Sequence, residues 1–218
     1  MHKTILAALL SVICLSAAPA ATEQAIVNES ARILRTFRTM PETAIPPAVL
    51  RQAKGLAIMN VVKVGFGLSG RGGQGVVVAR TRHGWSDPSF VGTGGAGWGL
   101  QIGAQLTEFV FVLNTDEAVR AFSRDGNVSI GVDVSAAAGP VGRDLQASVM
   151  PRAAVYTYSR SEGLFAGASV EGAVIATQKT ANARFYGRPV RATEILRGDV
   201  RSPRARVLRN ALEGRRSR

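Results

Sequence analysis

Two apolar runs rich in β-branched residues flank a cluster of glycines in the first half of the chain. Leu56–Val64 precedes the glycines and Val76–Ala79 follows them. Valine and isoleucine suit a pleated, half-buried surface, and glycine allows a turn or a close approach of two backbones. The pattern predicts a hairpin-like β unit whose turn lies near Gly70–Gly73.

Apolar and alternating segments continue this pattern downstream, and they predict further strands over residues 85–91, 100–113, 128–134, 153–158 and 164–176. A shift of 64 residues aligns several positions, among them Gly67 with Gly131 and Gly103 with Gly167. We therefore predict an α+β fold with short flanking helices. Its antiparallel core, a sandwich or a barrel, is built from two similar halves of about 64 residues.

Residues 21–40 show helical periodicity. Apolar residues recur at spacings of three, four and seven, at Ile26, Ile33, Leu34, Phe37 and Met40. Three arginines fall towards the opposite face, at Arg32, Arg35 and Arg38. Two interpretations remain open. Either the helix lies on a membrane surface, or its apolar face packs on the domain and its arginines are solvated.

Shorter helices are predicted at four other places. One begins at Pro46–Pro47, ends at Gly55 and exposes Arg51 and Lys54. A second begins after a Thr115 cap. The other two cover residues 181–186 and 192–196. The basic tail over residues 199–218 carries an apolar helical face, so it is a surface-lying helix, a disordered arm or a solvated end.

Residues 1–20 have the features of a cleaved secretory signal. Lys3 precedes a short apolar core, and Ala18-Pro19-Ala20 supplies small residues before the cut. The single cysteine, Cys14, follows Ile13, which is too large for a lipoprotein signal. The sequence therefore predicts a periplasmic or secreted chain, peripheral on the membrane, whose mature form has neither disulfide nor thiolate chemistry.

The formal net charge of +12 favours a polyanionic partner. We expect no nucleic acid partner, because the chain has a secretory signal and lacks zinc-finger, helix-turn-helix and aromatic RNA-binding signatures. Catalysis is not expected either. His83 is a lone histidine in a predicted turn, and no H-E-x-x-H or G-x-S-x-G motif occurs. Gly65–Gly70 matches G-x-G-x-x-G, but no helix follows it, so we predict no cofactor. Because the sequence has neither H-E-x-x-H nor a cysteine cluster, we also predict no metal.

Seven stretches, in one order, resemble the SYLF lipid-binding domain, also called the actin-binding domain of a yeast actin-patch protein. The similarity runs from about Glu23 to Gly198, which sets the predicted domain at residues 21–198. The stretches are Ile45–Ile58, Gly65–Arg80, Trp85–Gly92, Gly94–Val110, Leu113–Val119, Ala138–Arg143 and Tyr156–Gly167.

The resemblance implies a non-catalytic domain that binds membranes through an amphipathic N-terminal helix and nearby basic residues, with phosphoinositides as ligands in eukaryotic members. The predicted signal peptide resembles bacterial ones, and phosphoinositides are scarce in bacteria, so we expect an anionic phospholipid ligand and do not expect actin as a partner. The alternative is a structural or scaffolding module that binds another envelope protein through a sheet edge. The predicted headgroup residues are Arg32, Arg35, Arg38, Arg51, Lys54, Lys63 and Arg71, and the predicted apolar membrane face is Ile33, Leu34 and Phe37.

Overall fold

In a computed structural model, residues 22–40, 44–140, 153–163 and 174–215 are described. The predicted signal peptide and residues 164–173 of one predicted strand lie outside these ranges. The helices are α1 (Glu23–Thr39), α2 (Pro47–Gln52), α3 (Asp116–Ser123), α4 (Lys179–Tyr186), α5 (Ala192–Arg197) and α6 (Arg206–Leu212), with a 3₁₀ turn at Pro203–Ala205. The strands are β1 (Gly55–Thr81), β2 (Gly84–Trp85), β3 (Ser89–Leu113), β4 (Asn127–Ser129), β5 (Ala136–Ala138), β6 (Val155–Gly163) and β7 (Val174–Thr177).

Helix α1 confirms the predicted N-terminal helix, and its ends follow local chemistry. The Thr22 hydroxyl accepts a hydrogen bond from the Ala25 N–H and so satisfies one of the free donors of the first turn. Glu23 in the first turn and Arg38 in the last turn both oppose the helix dipole. The predicted Thr115 cap of α3 is also confirmed, because its hydroxyl accepts from the Ala118 N–H.

The central feature is a long antiparallel ribbon of β1 and β3. Gly55 lies opposite Leu113 at one end and Val77 lies opposite Ser89 at the other, with one register shift between Phe66 and Leu68. The prediction of two strands joined by a turn at Gly70–Gly73 is wrong, because residues 55–81 form one continuous strand of 27 residues.

Instead of turning sharply, β1 curls until its two ends meet. The Arg80 N–H donates to the Lys54 carbonyl oxygen over 2.7 Å. Glycine permits the approach between the two halves of the strand. A Cβ at Gly75 would overlap the Ile58 carbonyl oxygen and lie 2.7 Å from the Met59 Cα. The glycine cluster therefore serves close backbone contact and not a tight turn.

The described strands form one curled sheet in the order β2-β1-β3-β6-β5, with β7 also pairing with β3 and β4 pairing with β7. All these pairs are antiparallel except β5 with β6. The predicted α+β class with an antiparallel, barrel-like sheet is confirmed. Two equal halves are not visible in the described residues: positions 64 residues beyond β1 hold the end of α3 and the short strands β4 and β5.

Helices cover both faces of this sheet. Leu56, Ile58 and Val110 point into a first core, on the face covered by α1, α2, α4 and α6. Ala57 and Phe111 point to the opposite face, where α3, α5 and β4 contribute to a second core. This alternation follows the two-residue period of a strand. No helix among the described residues is both long enough and apolar enough to cross a membrane.

The described part of the predicted tail, residues 199–215, is built into the first core. Leu208, Ala211 and Leu212 of α6 are buried there. Asp87, which is fully buried, fixes the segment by accepting from the Ser202 N–H over 2.5 Å and by pairing with the Arg209 guanidinium. A buried carboxylate needs such partners to offset its lost hydration.

The self-contact of β1 makes a prediction for stability. Gly75→Ala should lower the free energy of unfolding by about 3 kcal/mol, because the new methyl group overpacks against Ile58 and Met59. The matched control is Gly72→Ala in the same strand, where a Cβ meets nothing within 4 Å. Its effect should stay within about 0.5 kcal/mol. Equal urea denaturation midpoints for the two variants would contradict this account of the ribbon.

The buried carboxylate makes a second prediction. Asp87→Asn should cost about 3 kcal/mol, because the Arg209 guanidinium loses its charged partner in a mostly buried site. The control is Glu117→Gln, which breaks an exposed ion pair with Arg120 and should leave the melting temperature nearly unchanged. Thermal melts of both variants provide the comparison. If Asp87→Asn melts no lower than Glu117→Gln, Asp87 does not anchor the C-terminal segment.

Candidate functional site

The predicted apolar membrane face of α1 lies inside the protein. Ile33, Leu34 and Phe37 are each at most 1% exposed and belong to the first core. Of the two interpretations left open by periodicity, the structure shows the packed helix. In this conformation the three side chains are covered by the protein and have no access to a bilayer.

Arg32 is held by two carboxylates. It pairs with Glu29 one turn away and with Glu108 of β3, which is 3% exposed and also lies 3.3 Å from the Arg160 Nε. Hydrogen bonds with Glu29 and then Glu108 raise the pKa of the Arg32 guanidinium. The pair fastens α1 to the sheet, so Arg32 is already neutralised by internal partners.

Arg35 faces the C-terminal helix. Its Nη2 donates to the Val207 carbonyl oxygen over 3.4 Å, and its Nε is buried without a hydrogen-bond partner among the described residues. The side chain therefore contributes to the contact between α1 and α6 and offers little to an external ligand.

Arg38 lines a cleft together with Arg51 and Arg80. The cleft has a volume of about 410 Å³ and lies where the C-terminal ends of α1, α2 and α6 meet the end of β1. Its apolar wall comes from Ile45, Pro47, Leu50 and Leu212. The structure thus joins two predicted site residues, Arg38 and Arg51, with a third arginine that sequence reasoning missed.

Backbone carbonyls hold two of these guanidiniums in place. Arg38 donates to the carbonyl oxygens of Ala211 (2.6 Å) and Leu212 (3.3 Å). Arg80 donates to the Leu50 carbonyl oxygen over 3.2 Å and stacks on the Trp85 ring, with 4.1 Å from its Cζ to the ring centroid. The C-terminal carbonyls of helices attract cations in this way.

The cleft carries uncompensated positive charge. Within the described ranges no carboxylate forms an ion pair with Arg38, Arg51 or Arg80. Burial lowers the pKa of the Arg38 and Arg80 guanidiniums, but both stay protonated near neutral pH because guanidinium is a very weak acid. The one acidic residue in the wall is Glu213, which pairs with Arg215 over 3.1 Å.

The other predicted cations lie outside this cleft. Lys54 is exposed after α2, and its backbone carbonyl closes the β1 curl. Lys63 sits in the ribbon opposite Gln105. Arg71 is exposed further along the ribbon, where its Nε would lie 2.9 Å from a Cβ placed on Gly95. None of these three side chains lines the cleft, although the backbone of Lys54 bonds to that of Arg80.

The sequence contains one local signal that places the Arg80 guanidinium over the Trp85 ring. Arg80 ends the apolar run of β1 and precedes Trp85 by five residues, with Gly84 between them. A tight hairpin over this interval makes the two residues cross-strand partners, as β1 and β2 show, and such pairs place a guanidinium over an aromatic ring.

The arrangement suits non-covalent anion binding. Guanidiniums donate hydrogen bonds to phosphate or carboxylate oxygens but do not act as acids or bases near neutral pH. His83 is exposed in the turn after β1. In the part of the chain that the structure describes, no group of three His, Cys, Asp or Glu residues is placed to hold a metal ion.

Comparison with known proteins identifies the family. Residues 94–215 match the family model described as Ysc84, Las17-binding protein actin regulator. Protein YSC84 of Saccharomyces cerevisiae is 46% identical over 188 residues, which is 82% of this chain and 40% of that protein. LAS seventeen-binding protein 3 of the same yeast is 49% identical over 188 residues, 82% of this chain and 41% of that protein. Human SH3 domain-containing YSC84-like protein 1 is 45% identical over 184 residues, 81% of this chain and 54% of that protein.

The chain thus spans about half, or less, of the length of these relatives. The family description names an actin regulator, and none of the relatives' names is that of an enzyme. The resemblance to the SYLF domain seen in the sequence is confirmed. The family model matches more than half of this chain, and the relatives are 45–49% identical over about four-fifths of it. The chain therefore belongs to the Ysc84 (SYLF) family.

Proposed function

We propose that this chain is a non-catalytic domain of the bacterial cell envelope that binds anionic phospholipid headgroups in the cleft lined by Arg38, Arg51 and Arg80. The location rests on the secretory signal predicted at residues 1–20. Binding needs no metal and no cofactor, because guanidiniums alone supply the charge and the hydrogen-bond donors.

The observation that carries the proposal is the unmatched charge of the cleft. Three guanidiniums converge there without a carboxylate ion pair among the described residues, and two of them pay a desolvation cost that lowers their pKa. An anionic oxygen entering the cleft gains charge-assisted hydrogen bonds from donors that are already held in place. The apolar wall of Ile45, Pro47 and Leu50 accepts the less polar part of a headgroup.

The proposal places recognition at the headgroup and leaves α1 in the core. Each Lys or Arg near an anionic membrane surface contributes about 1 kcal/mol. The cleft arginines and the exposed Lys54 would add to a few kcal/mol, which suits reversible, peripheral attachment. Arg32 adds little, since Glu29 and Glu108 already neutralise it.

A protein-binding module is the second candidate, and two observations favour it. One yeast relative and the family are named for binding Las17. In addition, β5 pairs within the described residues only with β6, and Ala136 and Ala138 on this edge are exposed. An open edge of this kind accepts an added strand from a partner.

Vesicle flotation tests the lipid proposal. Arg51→Glu should reduce binding to vesicles containing phosphatidylglycerol by about tenfold, since the exposed Arg51 side chain donates no described hydrogen bond and its loss leaves the fold intact. Arg124→Glu is the matched control, because Arg124 is equally exposed but caps α3 on the opposite face of the sheet. The difference between the variants should shrink at high salt.

Two outcomes contradict the lipid proposal. Equal losses for Arg51→Glu and Arg124→Glu would assign binding to net charge and not to the cleft. Failure of the wild-type chain to float with either anionic or neutral vesicles would exclude membrane binding by this conformation.

Edge blocking tests the second candidate. The double variant Ala136→Lys/Ala138→Lys should abolish capture of an envelope protein, because charge on an edge strand blocks strand addition. Its vesicle flotation should stay unchanged. Pull-down from envelope extract, with Arg51→Glu as the control that retains capture, measures the effect. Capture that survives both lysines would rule out the β5 edge as the binding surface.

A further inference from the structure

The acidic residue in the arginine cleft has a consequence for ligand choice. Glu213 follows the last residue of α6 and lines the cleft with Arg38, Arg51 and Arg80. The cleft therefore presents three positive groups and one negative group. A ligand that matches all four carries an anionic centre for the guanidiniums and a hydrogen-bond donor for the carboxylate.

The carboxylate of Glu213 is little used by the fold. Its side chain is 39% exposed, and its described partner is Arg215, whose side chain is 74% exposed. Ion pairs this exposed contribute little to stability. The contact that α6 needs at this position is made by the backbone, where the Glu213 N–H donates to the Arg209 carbonyl oxygen over 2.9 Å. A ligand group can therefore replace the exposed Arg215 as the partner of this carboxylate at little cost to the fold.

Charge and size limit that ligand. A volume of about 410 Å³ lies within the range of about 300–1,000 Å³ that is typical of small-molecule sites, so the cleft has room for more than a single phosphate ion. A phosphomonoester is close to a dianion at neutral pH, and Glu213 repels its second charge. A phosphodiester carries one charge, and a hydroxyl or ammonium group on its alcohol donates to the carboxylate.

We propose that Glu213 is a specificity-determining residue that favours phosphodiesters whose alcohol bears a hydroxyl or ammonium donor over phosphomonoesters and over diesters without a donor. This inference rests on the proposed function of the same cleft and names its ligand class. The arginines supply affinity, and Glu213 supplies the choice between headgroups.

Two matched lipid pairs test the inference by flotation. Phosphatidylglycerol and phosphatidic acid, at equal vesicle zeta potential, differ in charge per phosphate and in the donor hydroxyls. Phosphatidylethanolamine and phosphatidylcholine, each added to the same anionic background, differ in N–H donors. The wild-type chain should prefer the first member of each pair by at least about tenfold, the lower end of what one hydrogen bond to a charged group supplies.

Glu213→Gln should bring both preferences to within twofold and should raise binding to phosphatidic acid. Glu117→Gln is the matched control, since Glu117 is an exposed carboxylate with an exposed arginine partner on α3, away from the cleft. Its preferences should equal those of the wild type. Unchanged preferences in Glu213→Gln, or equal wild-type binding within both pairs, would overturn the inference.

Isothermal titration with soluble glycerophosphoglycerol separates this inference from the proposed function. Binding of this diester that weakens in Glu213→Gln, with no flotation on any vesicle, would support the role of Glu213 and overturn membrane binding. Flotation without any preference within the two pairs would support membrane binding and overturn the role of Glu213.

Discussion

The curl of β1 is the constraint on which the rest of the molecule depends. Because the Arg80 N–H bonds to the Lys54 carbonyl oxygen, the start and the end of a 27-residue strand lie side by side. That contact brings Arg80 against the last turn of α2, where it reaches the Leu50 carbonyl oxygen. Without a residue as small as Gly75 where the two halves of the strand approach, the ends would stay apart and the arginine cleft would lose one wall.

A second long-range contact completes that cleft. Buried Asp87, just before β3, binds Ser202 and Arg209 and so holds the C-terminal segment against the first core. The anchored α6 then delivers two carbonyl oxygens to Arg38 and places Glu213 in the wall. The charges of the cleft therefore depend on two tertiary contacts, one in the sheet and one at the C-terminal end.

Local patterns in the sequence were sufficient for elements whose causes are local. Thr115 caps a helix where the sequence predicts it, and alternation along β3 marks its two faces. The glycines near Gly75 were ambiguous, because glycine permits a turn and a close backbone approach equally well. Only the position of Ile58, seventeen residues earlier, decides between them.

The site was harder to predict because its parts are distant in sequence. Arg38, Arg51, Arg80 and Glu213 share no spacing, and only the folded chain brings them together. Helical periodicity located the apolar face of α1 correctly, but the same periodicity describes a helix packed on a core and a helix lying on a membrane. The partner surface of α1, formed by β1 and α6, comes from segments that periodicity within α1 does not contain.

Energetics favours the proposed headgroup binding over insertion of α1. Ile33, Leu34 and Phe37 are buried, and exposing such side chains costs about 2 kcal/mol each, or about 6 kcal/mol together. That sum is comparable with the total stability of many domains, about 5–15 kcal/mol. Detachment would also break the ion pair between Arg32 and buried Glu108. A bilayer would have to offset both losses before any gain, whereas the proposed binding of a headgroup in the arginine cleft leaves the core intact.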